Sequence, residues 1–272
     1  MRIVNLVENT AGPSGCEAEH GLSFYIETER HKLLVDCGQS GMFLRNAERL
    51  GIDLSEVDTV VLSHGHYDHA GGIPVFAALN PQAKIYASAA AGGEFYSTTG
   101  GAHYIGIDKQ ILDLSGFIPV EGDLRIDEEL FLFSGITGNK FPAKGNQNLK
   151  ELVDGAFEQD CFAHEQCLVV TEGERHILLS DCAHHGILNI LDRYRELFDR
   201  DPALVLSGFH MVQSDGYSED DLRRIRATAE ELLWTDTVYY TGHCTGAEAC
   251  AVMKEIMGER LQLLYSGMTI PV

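Results

Sequence analysis

The 272-residue chain is short of positive charge, with 20 Lys and Arg against 41 Asp and Glu and a formal net charge of −21. Nucleic-acid binding needs Lys and Arg to neutralise backbone phosphates, and adhesion to anionic membranes needs them too, so the balance argues against both partners. No apolar run approaches the roughly 20 residues of a membrane span. The opening "MRIVNLVENT" has one early charge and then reads as a strand. It has neither the apolar stretch nor the cleavage site of a secretory leader, so a cytoplasmic location is expected. The cysteines, at 16, 37, 161, 167, 182, 244 and 250, are odd in number and lack a CxxC pair. Free thiols in a reducing compartment are the simplest account. Low-complexity tracts and obvious linkers are missing as well. The single tryptophan, Trp234, falls in a helical stretch where a core position is expected.

What is present is apolar material for a core, 44% of the residues. Short, β-branched-rich runs predict strands at 2–8, 22–28, 32–36, 58–63, 84–87, 167–171, 176–180, 203–207, 237–241 and 261–265. Helical periodicity predicts helices near 41–50, 72–79, 186–199, 218–233 and 246–257. Strands alternating with helices imply α/β sheet layers covered by helices. One domain spanning 1–272 is expected, with inserted loops around 88–106 and 135–160. "ERHKLLVDCG" at 29–38 and "ERHILLSDCA" at 174–183 match at seven of ten positions, each closing an apolar hairpin on Asp-Cys. This echo predicts two similar halves packed face to face, with Asp36 and Asp181 near a shared rim.

The chemistry concentrates in "LSHGHYDHAGG" at 62–72, three histidines and an aspartate within six positions. Neutral imidazole and carboxylate are the usual nitrogen and oxygen ligands of divalent metals. His64 and His66 follow the strand "VDTVVLS" at i and i+2, so extended backbone sends both side chains to one side. Asp68 and His69 come after the turn and project differently, and Gly71 and Gly72 allow close backbone approach. Further candidates follow later strands: His164, then Asp181, Cys182, His184 and His185, then His210, then His243. The last three of these groups lie where open α/β sheets build sites.

H-x-H-x-D-H after an apolar strand resembles the signature of the metallo-β-lactamase fold superfamily. The resemblance implies an αβ/βα sandwich, two mixed β-sheets flanked by helices. It implies that His64 and His66 bind a first metal, that Asp68 and His69 bind a second, and that Asp36 orients a ligand histidine. "HEQCLVV", "CAHHGILN", "SGFH" and "TGHCTG" are similar to a branch of metal-dependent hydrolases that includes a dihydropterin–ribofuranosylaminobenzene-phosphate synthase. This similarity runs from "GLSFYIE" to "YSGMTI". It assigns His184 to the first metal and His243 to the second, with His210 as a ligand or catalytic pocket residue. Where better-known members have a bridging "GD" carboxylate, this chain has "SDC", leaving Asp181 or Cys182 for that place.

Two divalent ions follow as expected cofactors, zinc first, with iron or manganese as alternatives. The expected activity is hydrolysis of a small anionic substrate, a phosphoester or ester, by a metal-activated hydroxide that Asp68 holds in line. A synthase joining a dihydropterin diphosphate to an arylamine-type acceptor is the alternative, and a non-catalytic metal or redox module a third. The glycine- and aromatic-rich segment 88–106 suits a lid, and Lys140 and Lys144 suit a phosphate. Thr245 and Gly246 open a helix whose backbone N–H groups can meet an anion. Nothing in the sequence speaks to oligomeric state.

Overall fold

A computed structural model describes residues 1–213 and 216–272. The first seven-stranded sheet contains β1 (Arg2–Val7), β2 (Ser23–Glu27), β3 (Lys32–Val35), β4 (Thr59–Val61), β5 (Lys84–Ser88), β8 (Phe117–Val120) and β18 (Met268–Ile270). Its order is β18-β1-β2-β3-β4-β5-β8. The second contains β9 (Leu124–Arg125), β10 (Leu130–Phe133), β13 (Cys167–Glu172), β14 (Arg175–Asp181), β15 (Leu204–Ser207), β16 (Val238–Thr241) and β17 (Leu261–Leu263), in the order β17-β16-β15-β14-β13-β10-β9. In both, an antiparallel hairpin (β2–β3, β13–β14) leads into parallel neighbours (β4 and β5, β15 and β16). The echoed sequences therefore occupy equivalent positions in two like halves.

Side-chain alternation explains the layering. Leu33 and Val35 face the second sheet, where Ile177 and Leu179 face back, and all four join one buried cluster between the sheets. Leu34 and Val60 point the other way, onto Phe43 of α1 (Met42–Arg49) and Phe76 of α3 (Ile73–Leu79). Leu178 and Val205 point outward to Tyr194 of α4 (Ile187–Phe198), Ile225 of α5 (Glu219–Leu232) and Met253 of α6 (Ala247–Met257). The result is the expected αβ/βα sandwich. Each fully buried Leu or Phe in these clusters contributes about 1.5–3 kcal/mol relative to exposure. α5 starts at a capping box, with Ser218 Oγ accepting from Asp221 N–H and the Asp221 carboxylate accepting from Ser218 N–H.

Three expectations change. Segments 88–106 and 135–160 are not two separate loops: β6 (Phe95–Ser97), β7 (His103–Tyr104), β11 (Leu149–Val153) and β12 (Ala156–Gln159) pair into a third, antiparallel sheet. Leu149 pairs with Ser97 and Glu151 with Phe95, joining the two insertions, and Phe95 is buried under them. Trp234 is not core: it lies in the turn after α5 with 84% of its surface exposed. Lys140 and Lys144 are not free for a phosphate, because each pairs with a carboxylate, Asp192 at 2.9 Å and Asp221 at 3.0 Å. All seven cysteines are free thiols, as expected. Among the described residues, no helix is long and apolar enough to cross a membrane.

Candidate metal centre

The strand ends of both sheets deliver their polar residues to one rim. After β4, His64 and His66 lie with ring centroids 4.6 Å apart. The chain then turns into α2 (Tyr67–Ala70), which carries Asp68 and His69. Gly65 lets that turn pack closely, since a Cβ there would lie 2.4 Å from Ala91 O, and Gly72 does the same where α3 begins, 2.2 Å from Cys37 O. The second sheet supplies Cys182 and His184 after β14, His210 after β15 and His243 after β16. Asp36, Asp181, Ala183, His210 and His243 all have positive φ without being glycine. Such strained backbone persists only where the surroundings over-determine it, and it gathers at functional sites.

The hydrogen bonds fix which nitrogen of each ring is free. Asp36 is fully buried and accepts from Ser63 N–H (2.8 Å), Ser63 Oγ–H (2.7 Å) and His69 Nδ1–H (2.5 Å). With its proton given to Asp36, Ser63 Oγ can only accept from His64 Nδ1–H, 2.7 Å away. Asn146 Oδ1 accepts from His184 Nδ1–H at 3.1 Å, and Asn9 Oδ1 accepts from His243 Nδ1–H at 2.9 Å. Four imidazoles thus direct Nε2 inward, where it can serve as a ligand atom once free of a proton. The Nε2 atoms of His64, His66 and His184 are buried without any partner. A buried acceptor left unpaired costs about 1–3 kcal/mol, and three facing one another require a cation or protons.

The donor atoms fall into overlapping groups, each with every member within 4.8 Å of the others: His64, His66 and His184; His64, His69 and Cys182; Cys182, His184 and His210; Cys182, His243 and Cys244; His20, Asp68 and His243. Cys182 belongs to three of them. Its Sγ lies 3.3 Å from His69 Nε2, on the inward side of that ring. Asp181 instead faces the outward side, 3.8 Å from His69 Nδ1 and next to Asp36. Both Asp181 oxygens are buried without a hydrogen-bond partner, while the Cys182 thiol lies among the donor groups above. His164 stands apart: its Nδ1 accepts from Gly65 N–H (2.9 Å) and its Nε2–H donates to Asp160 (3.2 Å), so both nitrogens are used.

Electrostatics separates the imidazoles. Burial, then repulsion from its neighbours, holds His64 and His184 well below the ordinary histidine range and brings His66 down to about 3. These rings are neutral and ready to bind a cation. His69 goes the other way: burial opposes its charge, but Asp68 and Asp36 outweigh burial and hold it well above that range. Burial would raise Asp68, yet His69 and the imidazoles of His20 and His243 keep it well below the usual carboxylate range.

Several participants were not singled out in the sequence. Glu8 accepts from His243 N–H and, at 2.5 Å, from Thr10 N–H. Glu165 accepts from the backbone N–H of His184 and His185 and from His185 Nδ1–H. Asn9, Asn146, Cys244 and His20 also lie in segments without periodicity, and only their polarity marks them. Beside the cluster opens a cleft of about 810 Å³, lined by His210, Lys144, Gln147, Asn148, Gln213 and Tyr217 among others.

Residues 17–136 match the family described as the metallo-beta-lactamase superfamily. An uncharacterized protein of Methanocaldococcus jannaschii is 30% identical over 92% of this chain and 93% of its own length. The 7,8-dihydropterin-6-methyl-4-(beta-D-ribofuranosyl)-aminobenzene-5'-phosphate synthase of the same organism is 28% identical over 99% of this chain and 96% of its own. Among solved structures, a metal-dependent hydrolase of the beta-lactamase superfamily superposes with a TM-score of 0.84 at 30% identity, covering 100% of this chain and 99% of the other.

Proposed function

The chain belongs to the metallo-β-lactamase superfamily, and from that premise we propose that it is a dinuclear metallohydrolase of a small anionic substrate, a phosphoester or ester. The observation that carries the reading is the set of four imidazoles whose Nδ1 protons are committed to Ser63, Asp36, Asn146 and Asn9 while their Nε2 atoms converge. In this reading His64, His66 and His184 hold one divalent ion, zinc first. Asp68, His69 and His243 hold the other, and Cys182 lies between. Soft thiolate with imidazole suits zinc or iron better than manganese.

The bound ions supply Lewis acidity and lower the pKa of water toward about 7. The chain's own residues do the rest. Asp36 keeps the tautomers of His64 and His69, Asp68 would hold the second ion and orient the nucleophile beside it, and His210 lines the cleft in which the substrate sits. Neutral polar groups on that cleft, Gln147, Asn148 and Gln213, orient the substrate by hydrogen bonds while its charged group lies toward the cations. The chain's net charge of −21 disfavours RNA and other polyanions.

A second reading is favoured by one observation: the relative described as a synthase aligns over 99% of this chain. There the same donors would polarise a leaving diphosphate as an arylamine-type acceptor adds. Protein loaded with zinc and assayed against phosphodiester, phosphomonoester and ester reporters tests the choice. Hydrolysis that stops when the metal is removed, with Asp68→Asn lowering kcat far more than it raises KM, is the expected result. Two bound ions, no hydrolysis across the panel and consumption of a dihydropterin diphosphate with an arylamine would establish the synthase instead.

A further inference from the structure

We propose that His20 is a positioning residue for Asp68: an Nε2–H donor, held over the carboxylate from the solvent side, that fixes Asp68 for the second ion. The inference rests on the two-ion reading above and concerns a residue outside the H-x-H-x-D-H stretch and the later strand ends.

Asp68 Oδ2 has three imidazole nitrogens around it: His20 Nε2 at 3.2 Å, His243 Nε2 at 3.3 Å and His69 Nε2 at 3.5 Å. They are not equivalent. His69 and His243 have their Nδ1–H bonds fixed on Asp36 and Asn9, so each turns Nε2 toward the carboxylate, and His69 keeps a proton there until a cation replaces it. With that proton gone, lone pair faces lone pair, an arrangement that a cation between them would relieve. In a tetrahedral site with bonds of 2.0–2.1 Å, neighbouring ligands stand about 3.3 Å apart, which is the spacing found. His20 has the opposite tautomer. Asn9 uses its Oδ1 to accept from His243 Nδ1–H and Gly21 N–H, which leaves its Nδ2–H to donate to His20 Nδ1 at 3.4 Å. A ring that accepts at Nδ1 carries its proton on Nε2, aimed at Asp68. His20 is thus a donor to the ligand carboxylate while His69 and His243 are ligands beside it, and one side chain, Asn9, sets both kinds.

The backbone is built for this contact. Gly21 has φ +143, and a Cβ on it would lie 2.4 Å from Asp68 O, so the loop can press against α2 only with glycine next to His20. The same loop is tied on its other flank: Ser40 Oγ–H donates to Glu19 at 2.5 Å, Glu17 N–H donates to Asn46 Oδ1 at 2.9 Å, and Asn46 Nδ2–H donates to Glu17 O at 2.8 Å. The His20 side chain is nonetheless 53% exposed. The half-exposed imidazole packs on one side against the His243 ring, centroids 5.0 Å apart, and the hydrogen bonds to Asn9 and Asp68 fix its orientation.

The test is zinc affinity of the full chain, measured by chelator competition for wild type, His20→Ala and His20→Gln. Outer-layer partners of metal ligands typically contribute about 10–100-fold in affinity, so His20→Ala should weaken the second ion by about that factor and leave the first unchanged. Gln offers an N–H at a similar reach and should recover most of the loss. Wild-type affinity in His20→Ala overturns the proposal while leaving the two-ion site standing. So does a His20→Gln variant as weak as Ala, which would make His20 a ligand. Wild-type protein that takes up no second ion overturns the reading of the site itself, and this one with it.

Discussion

Asp36→Asn replaces one buried oxygen of Asp36 with an amide NH2, and the hydrogen bonds leave that group only two ways to sit. In the first, Nδ2 takes the place of Oδ2 and donates to Ser63 Oγ and His69 Nδ1. His69 must then carry its proton on Nε2, and the Ser63 hydroxyl, no longer donating to residue 36, turns to donate to His64 Nδ1. Both ligand tautomers invert, and each inverted ring loses the lone pair a metal needs. In the second, Nδ2 faces Ser63 N–H, a buried donor against a donor costing about 1–3 kcal/mol. The first outcome weakens each ion by about 10–100-fold, equivalent to about 1.4–2.7 kcal/mol. Stability of the metal-free chain should respond differently. Burial and the neighbouring Asp181 already push the Asp36 carboxyl well up, so a neutral amide relieves a buried repulsion. The metal-free melting temperature should therefore move little, each kcal/mol being worth about 2–4 °C. Zinc competition titrations paired with melts in chelator separate the two effects. Wild-type affinity for both ions in Asp36→Asn would refute the tautomer argument, because nothing else is assigned to that carboxylate.

Zinc uptake should release roughly two protons per chain, one from His69 and one from the Cys182 thiol, whose ordinary proton burial holds on. Cys182→Ser should bring this to about one and weaken binding; unchanged release and affinity in a pH-indicator titration would remove the thiol from the site. Far from the metals, burial and then Arg200 and Arg125 push His176 down to about 4, and its Nε2 accepts from Arg200 at 2.8 Å. Between about 6.5 and that value the unfolded chain binds the extra proton, so stability from a neutral His176 is complete above about pH 6.5 and is lost as pH falls toward 4. The gap between wild-type and His176→Gln melting temperatures should shrink over that window, and parallel profiles would rule this out.

How much was legible in the sequence follows from where each signal lies. His64, His66, Asp68 and His69 were readable as candidates because consecutive metal-ligand residue types at one strand end leave a pattern no packing rule produces. The hairpin echo was readable because β3 and β14 repeat the same alternation, and they do occupy equivalent places. The choice between Asp181 and Cys182 was not, for a local reason. Alternation along β14 breaks at a register shift between Leu179 and Asp181, and Asp181 takes φ 38, so counting parity from the buried residues cannot assign the faces. The third sheet escaped because its strands are too short or too exposed to leave a period: β6 is three residues long, and β12, "AFEQ", is exposed at every position. Trp234 misled through the opposite error. The buried stripe of α5 runs through Ile225, Ala229 and Leu232, and a residue two beyond Leu232 lies about 200° around the helix from it, off the stripe and toward solvent. His20 and Asn9 illustrate the deeper limit. Their roles come from which nitrogen of a ring carries a proton, and that is decided by partners from β1's end, α2 and the 243 turn meeting at one point. No spacing within a single segment records such a convergence; only the folded chain, with both halves of the sandwich in place, brings these hydrogen-bond partners together.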